Sequence, residues 1–255
     1  MVLRKLFRKA DPARAAPQVP DGLRIYAIGD IHGRVDLLSK MIELIVKDLS
    51  HAPVLRPMSI FLGDYIDRGP DSYGVLELMT AGVLPTEIVT LRGNHELMLL
   101  DFLSDPARGS SWGANGGLET LHSYGVDVSA LRTGKSLESL AEIFQGKLPP
   151  AHLSFVERTE LSCSVGDYFF CHAGIRPGVA LEAQHENDLL WIRDDFLRSR
   201  ANHGKVVVHG HTPVMEPESR TNRINIDTGA FISGTLTCLV LEGSSQRFIA
   251  ARLRD

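Results

Sequence analysis

The sequence predicts an α/β protein built as a two-sheet αββα sandwich, and three observations predict it. The first hundred residues alternate short apolar runs with segments of helical periodicity. The second half turns to a succession of β-prone runs. In both halves a polar, metal-ligating string follows the end of a strand.

The elements follow in order. LRIYAI (Leu23–Ile28) is a short apolar strand that runs into GDIHGR at 29–34, and VDLLSKMIELIVKDL (Val35–Leu49) then recurs at helical spacing. Met58–Leu62 is the second strand, ending in GDYIDRGP at 63–70, with a helix over Ser72–Ala81. Glu87–Leu91 is the third, ending in RGNHE at 92–96, with a helix over His95–Leu103. Three such units make a βαβαβ half with a parallel sheet buried on both faces. Residues 104–117, rich in Gly, Ser and Asp around Trp112, read as a loop. Helical patterns return at Gly117–Tyr124, Ser136–Phe144 and Pro150–Glu157. The period then switches to strand in ELSCSV, DYFFCH, KVVVHG, RINIDT, TLTCLVLE and QRFIAAR, which suggests a second sheet packed on the first.

Bulk properties narrow the function classes. The chain has 255 residues, with 27 basic against 31 acidic side chains, so its net charge of −4 gives no general pull toward nucleic acid. Residues 1–20 hold five of the basic side chains and one acid, and read as a disordered basic tail ahead of one catalytic domain over 21–255. A basic amphipathic anchor is the sharper reading of that tail, since Val2, Leu3, Leu6 and Phe7 alternate with Arg4, Lys5, Arg8 and Lys9. So short a segment gives no stable membrane insertion, and no apolar run reaches membrane-spanning length. Cys163, Cys171 and Cys238 form no CxxC pair and sit in apolar strands, which fits a reducing cytoplasmic setting.

The polar strings have a common chemistry. Asp30, His32, Asp64 and Asn94 follow the first three strands, while His172 (in CHAG) and His211 (in HGHTP) follow strands of the second half. All are nitrogen or oxygen ligands with no thiolate among them, which suits two divalent ions, manganese first, with iron or zinc as alternatives. Two metals about 3.5–4 Å apart can generate a nucleophile from water at neutral pH and clamp a phosphate. Arg68 on the same loop as Asp64 can grip phosphoryl oxygens, and His95 beside Asn94 can protonate a leaving group with Asp67 orienting it.

These motifs, GDIHG, GDYIDRG, GNHE, HAG and GHT, resemble those of the calcineurin-like metallophosphoesterases, and the resemblance runs through nearly the whole chain after the tail. DRG after the second motif, and NHE in the third, resemble the bacterial and phage serine/threonine phosphatase branch. The resemblance implies that Asp30 and His32 bind one metal, Asp64 bridges, and Asn94, His172 and His211 bind the other. It implies attack on phosphorus by a hydroxide held between the metals, with His95 and Asp67 as the acid pair. Arg68, Asn94 and Arg193 would contact the phosphate, Arg193 on the strength of the Trp-x-Arg string in LLWIRDDF. Pro213 stands where many relatives have a further His, which leaves His211 as the ligand of that motif and His209 as a candidate support behind the ligands.

The expected substrates are phosphorylated proteins or small phosphoesters. The alternative enzyme reading is a diadenosine tetraphosphate hydrolase, whose family shares the first three motifs; a metal-binding regulatory module without catalysis would need a broken ligand set. His51, His122, His152, His185 and His203 read as surface or packing residues. Arg34, Glu96 and Asp227 read as supports behind the ligands, and Trp112 and Asn115 as lining the cleft or packing the loop.

Overall fold

The fold is known from a computed structural model that describes residues 16–134 and 136–253. Residues 1–15, most of the basic tail, lie outside the described residues. Residues 16–20 do not stand clear of the domain: Val19 is buried, its N–H donates to Gly243 O at 3.0 Å, and the Gln18 N–H donates to the Asp167 carboxylate at 2.9 Å.

Two five-stranded sheets form the centre of the molecule. Strands β1 (Leu23–Ile28), β2 (Arg56–Phe61) and β3 (Glu87–Thr90) pair in parallel, joined by α1 (Val35–His51) and α2 (Ser72–Ala81). Helix α3 (Asn94–Ser104) follows β3. The region read as a loop is helical instead: a 3-10 turn at Pro106–Arg108, α4 (Gly109–Trp112) and a π-turn over Gly113–Gly117 lead directly into α5 (Leu118–Ser123). Trp112 overrides the local glycine content because its ring is buried among Phe102 and Phe144, at 4.8 and 6.3 Å between centroids. Helices α6 (Leu137–Gln145) and α7 (Pro150–Glu157) complete this half.

Strands β4 (Ser162–Val165), β5 (Tyr168–Cys171) and β6 (Val206–His209) belong to the second sheet, with α8 (Glu186–Trp191) and α9 (Asp194–Leu197) between the last two. Strands β7 (Glu218–Ser219) and β8 (Arg223–Asn225) finish it in the order β4-β5-β6-β8-β7. After α10 (Ala230–Ser233), β9 (Thr235–Glu242) and β10 (Ser245–Arg252) return to the first sheet, β9 antiparallel to β1. The last two β-prone runs therefore extend the first sheet rather than the second, a choice that periodicity does not encode.

Burial follows the layers. Leu23, Ile25 and Ala27 of β1 meet Tyr168, Phe170, Val206 and Val208 in a core between the sheets. Tyr26 and Ile28 face the opposite way, against Leu37, Leu38, Met41 and Ile45 of α1. Phe169, Cys171 and Val207 carry the outer face of the second sheet against Leu189 and Phe196. The result is the αββα sandwich. Because β1–β3 run parallel, and β5, β6 and β8 run parallel in theirs, six loops at carboxyl ends gather along one edge.

Candidate active site

That edge carries an unusual backbone. His32, Asp64, Asp67, Arg68 and His211 all have positive φ, between 47° and 72°, and among the described residues no other non-glycine residue does. Left-handed backbone costs an L-residue roughly 1 kcal/mol or more, so its confinement to these turns marks side chains aimed by the fold.

The side chains converge. His32 Nε2 and His172 Nε2 each lie 3.4 Å from Asp64 Oδ2. His172 Nε2 is also 2.9 Å from Asn94 Oδ1 and 3.2 Å from His211 Nδ1. Two groups of potential ligands result, His32–Asp64–His95 and Asp64–His172–His211, sharing the Asp64 carboxylate. Asp30 stands at the edge of the cluster, where its Oδ2 accepts from the His211 N–H at 2.9 Å. Gly93 is pressed so closely on Asp64 that an added Cβ would lie 2.0 Å from Oδ1.

These residues fit divalent metals. The Nδ1–H of His32 donates to Ile66 O and that of His172 to Leu62 O, each at 2.9 Å, which turns both Nε2 lone pairs inward. Asp30 Oδ1 and His211 Nε2 are buried and, among the described residues, have no hydrogen-bond partner. Burial lowers the pKa of His32 to about 3 and of His211 to about 2, so both rings are neutral as ligation requires. Burial opposes ionisation of Asp64 as well, but the surrounding imidazoles hold its carboxyl below the usual range. Lone pairs from several neutral rings and an ionised carboxylate, gathered within contact distance, are a donor set that can hold a divalent cation.

His95 falls within the first group but is held differently from the other rings. Its Nδ1–H donates to Asp67 Oδ2 at 2.7 Å, and its Nε2 lies 3.9 Å from Asp64 Oδ2. Burial lowers its pKa, yet the charges of Asp64 and Asp67 outweigh that and leave it above the ordinary histidine value. Asp67 is itself fully buried. Arg68 Nη1 donates to His32 Nε2 at 3.1 Å, and its guanidinium carbon lies 5.0 Å over the Phe231 ring. Arg193 is exposed, close enough for its charge to lower the His211 pKa after burial and His172 have done so.

The fold thus gathers Asp30, His32, Asp64, Asp67, Arg68, Asn94, His95, His172 and His211, with Arg193 on the rim. Behind them, the buried Glu96 carboxylate accepts the backbone N–H groups of Asp64, Tyr65 and Gly93, each at 2.8 Å. Asp227 accepts from the Gly229 N–H at 2.8 Å, and its charge helps raise the pKa of Asp30, second to burial. Arg34 instead ties α10 to the loop after β1 through Ala230 O at 2.8 Å. His209, expected behind the ligands, packs against Phe196 and accepts from Arg223 instead of bonding a ligand side chain. His152 bonds Tyr124 at 2.7 Å and Glu77 at 3.2 Å as a packing residue. Sequence reasoning missed Phe231, whose ring lies 5.1 Å from that of His32, and Trp191, whose ring lies 6.1 Å from that of His211. It also missed Thr120, which bonds Asp67 at 2.6 Å. None of the three belongs to a ligand string, although Trp191 opens the Trp-x-Arg pattern.

Comparison with known proteins agrees with this geometry. The family described as calcineurin-like phosphoesterase matches residues 23–228. The chain is 26% identical to the asymmetrical bis(5'-nucleosyl)-tetraphosphatase PrpE of Oceanobacillus iheyensis, over 91% of this chain and 97% of that protein. It is 31% identical to serine/threonine-protein phosphatase 1 of Salmonella typhimurium, over 84% of this chain and 89% of that one. A solved cold-active protein tyrosine phosphatase shares the fold at a TM-score of 0.55 and 15% identity, covering 91% of this chain and 81% of the other.

Proposed function

The chain belongs to the calcineurin-like phosphoesterase family, and from that premise we propose that it is a metal-dependent phosphomonoesterase of phosphoserine and phosphothreonine in proteins. Divalent ions bound by Asp30, His32, Asp64, Asn94, His172 and His211, manganese by this reading, would supply Lewis acidity and an acidified water. Arg68 and Arg193 bind the phosphoryl oxygens. As the ester P–O bond breaks, His95 Nε2 hands its proton to the departing oxygen while Asp67 keeps hold of Nδ1–H. The oxygen of water ends on phosphorus, so a phosphoester and water yield an alcohol and inorganic phosphate.

The observation that carries this reading is the 31% identity to serine/threonine-protein phosphatase 1 of Salmonella typhimurium. The His95–Asp67 pair, with the unpartnered Nε2 beside the candidate ligands, supplies the proton donor that reading needs. A seryl or threonyl alkoxide is a basic leaving group and needs a delivered proton; a nucleotide leaving from a phosphoanhydride needs it far less. The second reading, hydrolysis of dinucleoside tetraphosphates, is supported by the likeness to PrpE over almost the whole of both chains. The unpaired cysteines extend the proposal to a cytoplasmic location, and no helix among the described residues is long and apolar enough to cross a membrane. The deciding experiment loads the enzyme with defined metal and compares kcat/KM for a phosphoserine protein, para-nitrophenyl phosphate and diadenosine tetraphosphate. The phosphoprotein is expected to exceed the tetraphosphate; the reverse order overturns the proposal in favour of the second reading.

A further inference from the structure

The acid pair is held by a segment that no ligand motif includes. Besides His95, Asp67 Oδ2 accepts from the Trp112 indole N–H at 2.8 Å, and Oδ1 accepts from the Thr120 hydroxyl at 2.6 Å. The Asp67 backbone N–H donates to Ser72 Oγ and Thr120 Oγ1, both at 3.0 Å, which pins a residue whose φ is 72°. Trp112 ends α4 and Thr120 lies in α5, so both come from the short helices that follow α3. The same segment grips the neighbouring arginine, because the Arg68 N–H donates to Gly116 O at 3.2 Å. It is also closed on itself: a Cβ on Gly117 would come within 2.4 Å of the Trp112 ring.

We propose that Trp112 and Thr120 are positioning residues for proton donation. Rotation of the Asp67 carboxylate would break the bonds from Trp112 and Thr120 along with the one from His95. The three donors fix both oxygens, so His95 Nδ1–H has one acceptor and the ring plane keeps Nε2 directed at the reacting centre. This rests on the reading of His95 as the acid. A filler role for Trp112, between Phe102 and Phe144, would need only its shape, and a packing role for Thr120 would need only its methyl group.

The test removes donors while keeping shape. Thr120→Val retains the volume and leaves the Asp67 N–H with Ser72; Trp112→Phe removes the indole N–H. Each is expected to lower kcat on a phosphoserine peptide by about 10- to 100-fold, part of the ~10²–10⁴-fold that a placed proton donor supplies. On para-nitrophenyl phosphate, whose leaving group needs no proton, the loss should stay under about threefold, with KM and bound metal unchanged, by the same argument. Thr120→Ser should recover most of the phosphoserine rate, and Thr120→Val added to His95→Asn should cost nothing further, because the two act as one unit. If His95→Asn itself slows both substrates equally, the acid reading has failed. If His95→Asn discriminates between the substrates but Thr120→Val does not, the positioning proposal is overturned alone. Should Trp112→Phe fail to fold, the Thr120 variants decide.

Discussion

Replacing Glu96 by Ala should damage the protein more than any surface charge change, and the structure gives the size. Glu96 is fully buried, and its two oxygens accept the N–H groups of Asp64, Tyr65 and Gly93 at 2.8 Å each, with Ile66 at 3.4 Å. Burial and the Asp64 charge push the Glu96 carboxyl up to about 7, while the N–H groups of Gly93 and Asp64 favour its ionised form. A hydrogen bond to that charged form is worth about 1.5–3 kcal/mol, and donors stranded in a buried site keep their full desolvation cost. Summing the three short bonds would overshoot, because water enters the cavity and the loops relax; ~3–5 kcal/mol is the realistic loss for a broken buried network. At about 2–4 °C per kcal/mol for a chain of this size, thermal unfolding should shift down by at least ~6 °C. Glu96→Gln keeps the volume and one acceptor but turns an NH₂ toward backbone donors, so it should fall between. The assay is circular dichroism melting with metal content measured alongside, since the Asp64 backbone is one of the groups released. An Ala variant melting within about 2 °C of wild type, still holding its metals, would show that Glu96 does not organise the loops.

Chelation followed by defined reloading should give an inactive apoprotein that manganese restores better than magnesium, because imidazole ligands suit the softer ion; turnover with metal verified absent would contradict this. Asp64→Asn should lower the content of both ions together, read by metal analysis, because the shared carboxylate contacts rings of both groups; loss of one ion alone would refute the bridge. Burial pushes the Cys163 thiol up to about 12 and also raises that of Cys238. The native protein should therefore react sluggishly with a disulfide reagent at pH 8 and release all three thiols only on unfolding. The sign for stability follows: folded-state thiol pKa values above the unfolded value of about 8.5 leave stability intact below that pH and drain it as pH rises toward 12.

Much of this was legible because ligand chemistry and strand ends coincide. β1 and α2 match their sequence-derived bounds, and the parallel pairing of β1–β3 follows from the helical crossovers between them. The candidate ligand strings are local, so Asp30, His32, Asp64 and Asn94 could be singled out without knowing the fold. What stayed hidden is what depends on long-range packing. Residues 106–117 carry glycines that argue against helix, and only the burial of Trp112 against Phe102 explains their helical turns. Thr120 reaches Asp67 across 53 residues of sequence, and Phe231 reaches Arg68 from the far end of the chain. Neither contact leaves a periodicity or a spacing to detect. The return of β9 and β10 to the first sheet is likewise a topological choice that alternation alone does not express.

The central claim, a proton donor set beside a metal centre, is tested most directly by one measurement. Wild type and His95→Asn should be compared for kcat on a phosphoserine peptide and on para-nitrophenyl phosphate, with metal content assayed on the same samples. With Asp67 2.7 Å from Nδ1 and Nε2 left to the substrate, the variant should keep both metals. It should lose roughly 10²–10⁴-fold on phosphoserine and far less on the aryl ester. Equal losses on the two substrates, or a variant that has shed a metal, would show that His95 does not act as the general acid.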